Sequence, residues 1–197
     1  MFGYKSIKYK FRQDDIPIHT SYLIVAICLF LSCVNKKDQL TKEEEEFSGK
    51  IISIIDGDTY ELLDNDNKTI RIRMEGIDAP EKGMPYCNVA KKYLSSLCFG
   101  KKIRLDGNRK DRNERIIAYS YLEDSTELSH EMVKAGLAWH FKKYSSDSSL
   151  ANLEIEARNL GLGLWKDKNP TPPWEIRKLH REGISTIDSF NFESEND

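Results

Sequence analysis

From Lys68 to Glu75 the chain reads KTIRIRME, a strict alternation of apolar and polar residues. That period belongs to a half-buried β-strand, with Ile70, Ile72 and Met74 on one face and Arg71 and Arg73 on the other. Two further segments precede it, Gly49–Asp56 (GKIISIID) and Thr59–Asp64 (TYELLD). The polar run Asp64-Asn65-Asp66-Asn67 is a strong turn signal between the second and third strands. A three-stranded antiparallel meander therefore opens the domain, and Gly76 to Pro80 is expected to be a loop that breaks the sheet.

A helix is predicted over Pro85–Leu97, where Val89, Ala90, Tyr93, Leu94 and Leu97 recur at helical spacing, and Gly100 stops it. Lys101–Asp106 and Arg115–Leu122 read as a fourth and fifth strand, with the polar segment Asp106–Glu114 as a loop between them. Ser129 is expected to cap a helix through Leu137. Asp147 or Ser148 caps another through Leu160, with Gly161 as its C′ residue. Leu162–Trp174 is irregular, and Glu175–Arg181 forms a short basic helical piece. Five strands, a helix after the third and helices at the end describe an α+β fold, a five-stranded OB-fold barrel with three main helices.

The chain of 197 residues suits one domain with appendages. Tyr22–Leu31 (YLIVAICLFL) is shorter than the roughly 20 apolar residues of a membrane span and suits the apolar region of a secretory signal. Phe30-Leu31-Ser32-Cys33 resembles a bacterial lipobox, although an aliphatic residue is usual in place of Phe30. Residues 1–33 are thus expected to be a lipoprotein-type signal peptide with Cys33 lipidated, and 34–47 a polar tether. The folded domain covers 48–182, and 183–197 is an acidic, disordered tail. The expectation is an extracytoplasmic protein anchored to a membrane, or alternatively secreted. Cys87 and Cys98 lie eleven residues apart on one predicted helix, about 16 Å. A disulfide needs Cα atoms within roughly 7 Å, so both are expected to be free, mostly buried thiols.

The net charge of −2 does not announce a nucleic-acid partner, but the local distribution does more. Between Gly100 and Arg115 there are 7 basic and 3 acidic residues, a local excess that can track a phosphate backbone or simply form a solvated face. Beside it lie two acidic turns, Asp56-Gly57-Asp58-Thr59 and Asp78-Ala79-Pro80-Glu81. Carboxylates hold a hard cation and activate water, while guanidiniums neutralise a phosphorane-like transition state. Asp58, Asp78, Glu81, Arg73 and Arg115 together are what a metal-dependent phosphodiesterase needs. Each also has a plainer reading. Asp56 and Asp58 serve turns, Asp78 and Glu81 serve a helix start, and Arg73 is one more exposed strand residue. His130 and His140, ten apart and without a third ligand, do not make a zinc site.

Six blocks resemble the staphylococcal nuclease family in order and spacing: IIDGDT at 54–59, RMEGIDAPE at 73–81, DRNERIIAYSY at 111–121, ELSHEMVKAGLAWHF at 127–141, EARNLGLGLW at 156–165 and PPWEIRK at 172–178. The resemblance covers about Gly49 to Arg181. It implies an OB-fold with a Ca²⁺-dependent phosphodiesterase site acting on DNA and RNA and leaving 3′-phosphate ends. On that basis Asp58, Asp78 and the carbonyl of Ala79 would ligate Ca²⁺. Glu81 would be the general base or orient the attacking water, and Arg73 and Arg115 would hold the scissile phosphate. No obligate protein partner is indicated.

The chain departs from the family pattern at Glu114, where glycine is usual, at Asn113, where an aromatic is common, and at Lys142, where a nucleotide-stacking tyrosine occurs. Lys142, Tyr144 and Trp139 are the substrate-binding expectations, with Phe141 as a further stacking substitute. The competing class is a catalytically weak nucleic-acid-binding OB-fold module, against which the retention of three carboxylates near a polyanion speaks.

Overall fold

The computed structural model describes residues 47–184. The chain divides into two units, Met1–Glu45 and Glu46–Asp197, and the described residues all belong to the second. The signal peptide, the lipidation at Cys33, nearly all of the tether and most of the acidic tail lie outside the described residues.

The first three strands are β1 (Ser48–Ile54), β2 (Thr59–Asp64) and β3 (Thr69–Met74). Two more, β5 (Lys102–Lys110) and β6 (Ile116–Leu122), close them into a barrel of order β1-β2-β3-β6-β5. All neighbours are antiparallel except β3 and β6, which run parallel with Ile72 opposite Ile116 and Met74 opposite Ala118. The alternation in β3 turns Ile72 and Met74 into the barrel and leaves Arg71 exposed. Tyr60, Leu62, Ile51, Ile103 and Leu105 complete the interior. A fully buried Leu or Ile contributes about 1.5–3 kcal/mol, so this set supplies most of the drive for closure.

β5 continues past Asp106, where the sequence predicts a loop. A bulge between Asp106 and Arg109 absorbs the extra residues, and pairing resumes at Arg109–Ile117. Gly107 makes this possible: its φ is +123°, and an added Cβ would lie 2.8 Å from the Ile117 carbonyl oxygen. The segment expected to be a loop at Gly76–Pro80 also pairs. Ile77–Asp78 forms a two-residue strand, β4, against β7 (Trp139–His140).

Helix α1 (Cys87–Cys98) starts two residues later than predicted, because Tyr86 adopts φ +62° and cannot be helical. Ala90, Leu94 and Cys98 form its buried stripe. Both cysteines are free as expected; Cys98 is fully enclosed, Cys87 only half so. Burial pushes the Cys98 thiol up to about 12, so it stays protonated and inert. Helix α2 (Leu128–Lys134) is capped by Glu127, not Ser129. The Glu127 carboxylate accepts the Ser129 and His130 N–H groups at 2.9 and 2.7 Å. The Ser129 hydroxyl is occupied instead in donating to the Glu75 carbonyl.

Helix α3 (Ser148–Asn159) is capped by Asp147, one of the two residues expected there, while Ser148 is its first helical residue; Gly161 follows the helix with φ +59°. A short 3₁₀ turn, Gly163–Lys166, lies in the stretch expected to be irregular. The last element, α4 (Pro173–Arg181), begins with proline in its first turn and buries Pro173 and Ile176. No described helix is long and apolar enough to cross a membrane.

Candidate active site

The β1–β2 turn builds the first half of the site. The Ile55 and Asp56 N–H groups both donate to the Thr59 carbonyl, and the Asp58 N–H donates to Asp56 Oδ1 at 3.1 Å. Asp56 therefore sets the turn, and Asp58 is left at its head. Gly57 allows the turn to lie flat against its surroundings; a Cβ there would meet both Ala79 Cβ and Ala90 Cβ at 2.8 Å. The close approach brings the second acidic turn alongside. The Ala79 N–H donates to Asp58 Oδ2 at 2.6 Å, and the Thr59 hydroxyl donates to Asp58 Oδ1 at 2.9 Å.

Two carboxylates are thereby buried next to each other: Asp58 is 3% exposed and Asp78 1%. A buried charge is tolerated only when paired and hydrogen-bonded. Arg73 is the pairing group, contacting Asp58 through Nη1 and Asp78 Oδ1 through Nη2 at 2.6 Å. Burial lowers the Arg73 pKa, and the charges of Asp78 and Asp56 oppose that shift. Asp56 is raised by burial, against the pull of Arg73 and Arg115.

Glu81 has a half-exposed side chain, 47%, and is held by Arg177 of α4. Arg177 Nη1 lies 2.5 Å from Glu81 Oε1 and 3.3 Å from Asp78 Oδ1, and its Nη2 lies 2.6 Å from Asp78 Oδ2. Burial opposes the Arg177 charge, but the Asp78 and Glu81 carboxylates outweigh it and raise its pKa. No sequence motif assigned Arg177 a role. Its only signal was membership of the basic PPWEIRK block.

Arg115 sits at the tip of the β5–β6 hairpin, where Asp111 organises it. Asp111 Oδ1 accepts the Asn113 and Arg115 N–H groups at 2.8 and 3.0 Å, and Oδ2 accepts from Arg115 Nε at 2.8 Å. Burial is the largest single influence and pushes the Asp111 carboxyl up, but these bonds and the Arg115 charge together outweigh it and hold the carboxyl below its usual range. Glu114 takes φ +60°, which explains why glycine suits that position; its carboxylate turns outward to Lys110 at 3.0 Å. The acidic neighbour is thus directed away from the Arg115 guanidinium.

Asp58, Arg73, Glu81, Arg115 and Arg177 all line one cleft of about 1030 Å³. Eleven basic and six acidic side chains line it, so a chain of net charge −2 carries a locally cationic groove. Of the three expected substrate-binding residues, Tyr144 is 60% exposed, edge-on to Phe141 at 4.8 Å. Lys142 lines the cleft, but its ammonium is 2.8 Å from the buried Glu154 carboxylate. Trp139 is 3% exposed and packs edge-on against Trp165 and Trp174. It is a packing residue and has no face free for a base. Trp174, missed as a cleft residue, stacks on Phe141 at 5.2 Å with an interplanar angle of 4°.

Among the described residues no group of three or more His, Cys, Asp or Glu side chains forms a ready ligand set. The donors that converge are Asp58 and Asp78, which share one guanidinium.

Residues 71–167 match the model of a family described as staphylococcal nuclease homologue. The chain is 38% identical over 137 residues to an uncharacterized endonuclease of Escherichia coli, covering 70% of this chain and 88% of that one. A similar endonuclease of Haemophilus influenzae is 39% identical over 137 residues, 70% of this chain and 76% of its own length. A micrococcal nuclease of Shigella flexneri is 34% identical over 150 residues, 71% of this chain and 86% of that one.

Proposed function

The chain belongs to the staphylococcal nuclease family, and from that premise we propose that it is a Ca²⁺-dependent endonuclease that hydrolyses DNA and RNA with little sequence preference and leaves 3′-phosphate ends. One observation carries the reading: Asp58 from the β1–β2 turn and Asp78 from β4 converge on Arg73, and Asp58 and Arg73 line a cationic cleft together with Glu81 and Arg115. The names of the relatives, endonuclease and micrococcal nuclease, support the same reaction class.

The residues fit a hard cation. Asp58 and Asp78 are buried carboxylates that already converge on one positive group, and Ca²⁺ takes oxygen ligands in a flexible shell completed by backbone carbonyls and water. Asp58, Asp78 and the Ala79 carbonyl would hold it, where it would polarise a phosphoryl oxygen. Glu81 takes the proton of the attacking water or orients that water. Arg73 and Arg115 match the geometry of a phosphate, so they stabilise charge that builds up as the phosphorus is attacked. The cleft's cationic lining holds the rest of the polyanion.

The N-terminal reading is part of the proposal: Cys33 carries lipid and ties the nuclease to a membrane surface. Detergent partitioning of the full chain and its Cys33→Ala form tests it, and equal solubility of the two would overturn it. For the enzyme, the chain from about Lys36 is incubated with denatured DNA and RNA. Cleavage should require Ca²⁺ and stop on chelation, and Glu81→Gln or Arg115→Ala should each lower the rate by about 10²–10³-fold. Binding without cleavage by the wild type would instead favour a binding module.

A further inference from the structure

We infer that Arg177 is a positioning residue of this site, which makes the C-terminal helix α4 part of the catalytic unit; the inference rests on the nuclease reading. Arg177 lies beyond residue 167, where the family match ends. It stands 99 and 96 residues from its two partners in sequence, yet it forks across both. One nitrogen spans Asp78 and Glu81, and the other closes the second bond to Asp78.

Helix α4 does not depend on this contact to dock. Pro173 and Ile176 are buried, and Trp174 stacks on Phe141 and meets Trp139 edge-on. The arginine is therefore anchored independently, and the group it restrains is Glu81. Glu81 is half exposed on a flexible stem, and Arg177 is its ion-pair partner among the described residues. A general base acts only when held within hydrogen-bond reach of the proton it takes. A planar fork with fixed donor spacing does this better than a point charge. Arg177 also places a positive charge on the Asp78 carboxylate, which the proposed cation would share. It thus trades some cation affinity for a fixed Glu81.

That trade gives Arg177→Met a signature that loss of a merely structural ion pair lacks. With denatured DNA, kcat should fall by about tenfold or more while KM shifts by less than about threefold, because orientation and not uniform binding is lost. Calorimetric titration with Ca²⁺ alone should show a Kd several-fold lower than the wild type, since a competing cation has left Asp78. Arg177→Lys should recover only part of kcat, because an ammonium cannot bridge both carboxylates. The exposed Glu175→Gln on the same helix serves as the control, with kcat unchanged. A kcat within twofold of wild type for Arg177→Met, or weakened Ca²⁺ binding together with a lowered Tm, would overturn the inference. Should Arg177→Met fail to fold, Arg177→Lys decides by the same kcat criterion. If the wild type binds Ca²⁺ but does not cleave, the nuclease reading falls and the inference falls with it, whereas a cleaving wild type with an unaffected Arg177→Met overturns the inference alone. A wild type that neither cleaves nor binds Ca²⁺ overturns both.

Discussion

Thr59 and Arg73 are partners across β2 and β3, and this register sets Arg73 against Asp58, the residue before Thr59. The same side chain reaches Asp78 beyond the end of its own strand. A barrel register thus fixes the geometry of a charged cluster.

Removing Arg73 should therefore destabilise the apo protein as well as inactivate it. Arg73→Gln leaves Asp58 buried with hydrogen bonds from Ala79 and Thr59 but no cation, while Asp78 keeps Arg177. Breaking one side of a buried pair costs about 3–5 kcal/mol, and the surviving Arg177 places the loss near the lower end. Urea denaturation in chelator checks it. Adding Asp58→Asn to Arg73→Gln should recover part of the loss, because the orphaned charge is gone.

Inside the barrel, the Tyr60 hydroxyl lies 2.7 Å from Ser120 Oγ, with both residues fully enclosed. Burial drives the Tyr60 pKa far above its ordinary value, so the pair is neutral. Tyr60→Phe should cost about 1–2 kcal/mol by leaving the serine hydroxyl without its partner. The double variant Tyr60→Phe/Ser120→Ala should be more stable than the sum of the two single losses predicts. Strict additivity in a double-mutant cycle would show that the two hydroxyls are satisfied in some other way.

At the hairpin tip, Glu114 occupies the left-handed region at φ +60°. Its N–H donates to the Asp111 carbonyl, and the Asp111 N–H donates to that of Arg115, so the turn requires this conformation. A non-glycine residue there is strained by roughly 1–2 kcal/mol, partly offset by the greater unfolded entropy of glycine. The Lys110 ion pair is exposed and returns little. Glu114→Gly should therefore stabilise the protein by about 0.5–1 kcal/mol, read as a raised urea midpoint with an unchanged slope.

The parts legible in the sequence are those fixed by neighbours in the chain. The alternation over β3, the bounds of β2, the Asp147 cap and the stop at Gly100 follow from local pattern. The barrel closure and the adjacency of Asp58, Asp78 and Arg73 follow once those strands are in register. What was not legible depends on distant partners. The two-residue pairing of β4 with β7 has no period to read, and it is what buries Trp139 opposite Asp78. Glu127 displaced Ser129 as the α2 cap because the serine hydroxyl is drawn to Glu75, 54 residues earlier. Lys142 reads as a cleft cation until Glu154, buried on α3, is seen to hold it. Arg177 belongs to the same class, since both its carboxylate partners sit across the fold.

The pairing of β4 with β7 also buries His140, and that should be visible as pH dependence. Its Nε2 lies 3.1 Å from Ser145 Oγ, and its Nδ1 is enclosed without a hydrogen-bond partner among the described residues. Burial lowers its pKa; the carboxylates of Glu154 and Asp147 work against that shift and the Lys142 ammonium adds to it. The unfolded chain therefore takes up the proton more readily than the folded one. Stability contributed by neutral His140 is present above the ordinary value of 6.5 and is lost as pH falls from there toward the lowered folded pKa. Over that window the slope approaches about 1.4 kcal/mol per pH unit for one proton. Urea denaturation at pH 7.5 and 5.0 should show a larger drop for the wild type than for His140→Gln, which has no proton to gain. An equal drop in both would mean that the acid sensitivity comes from the carboxylates alone.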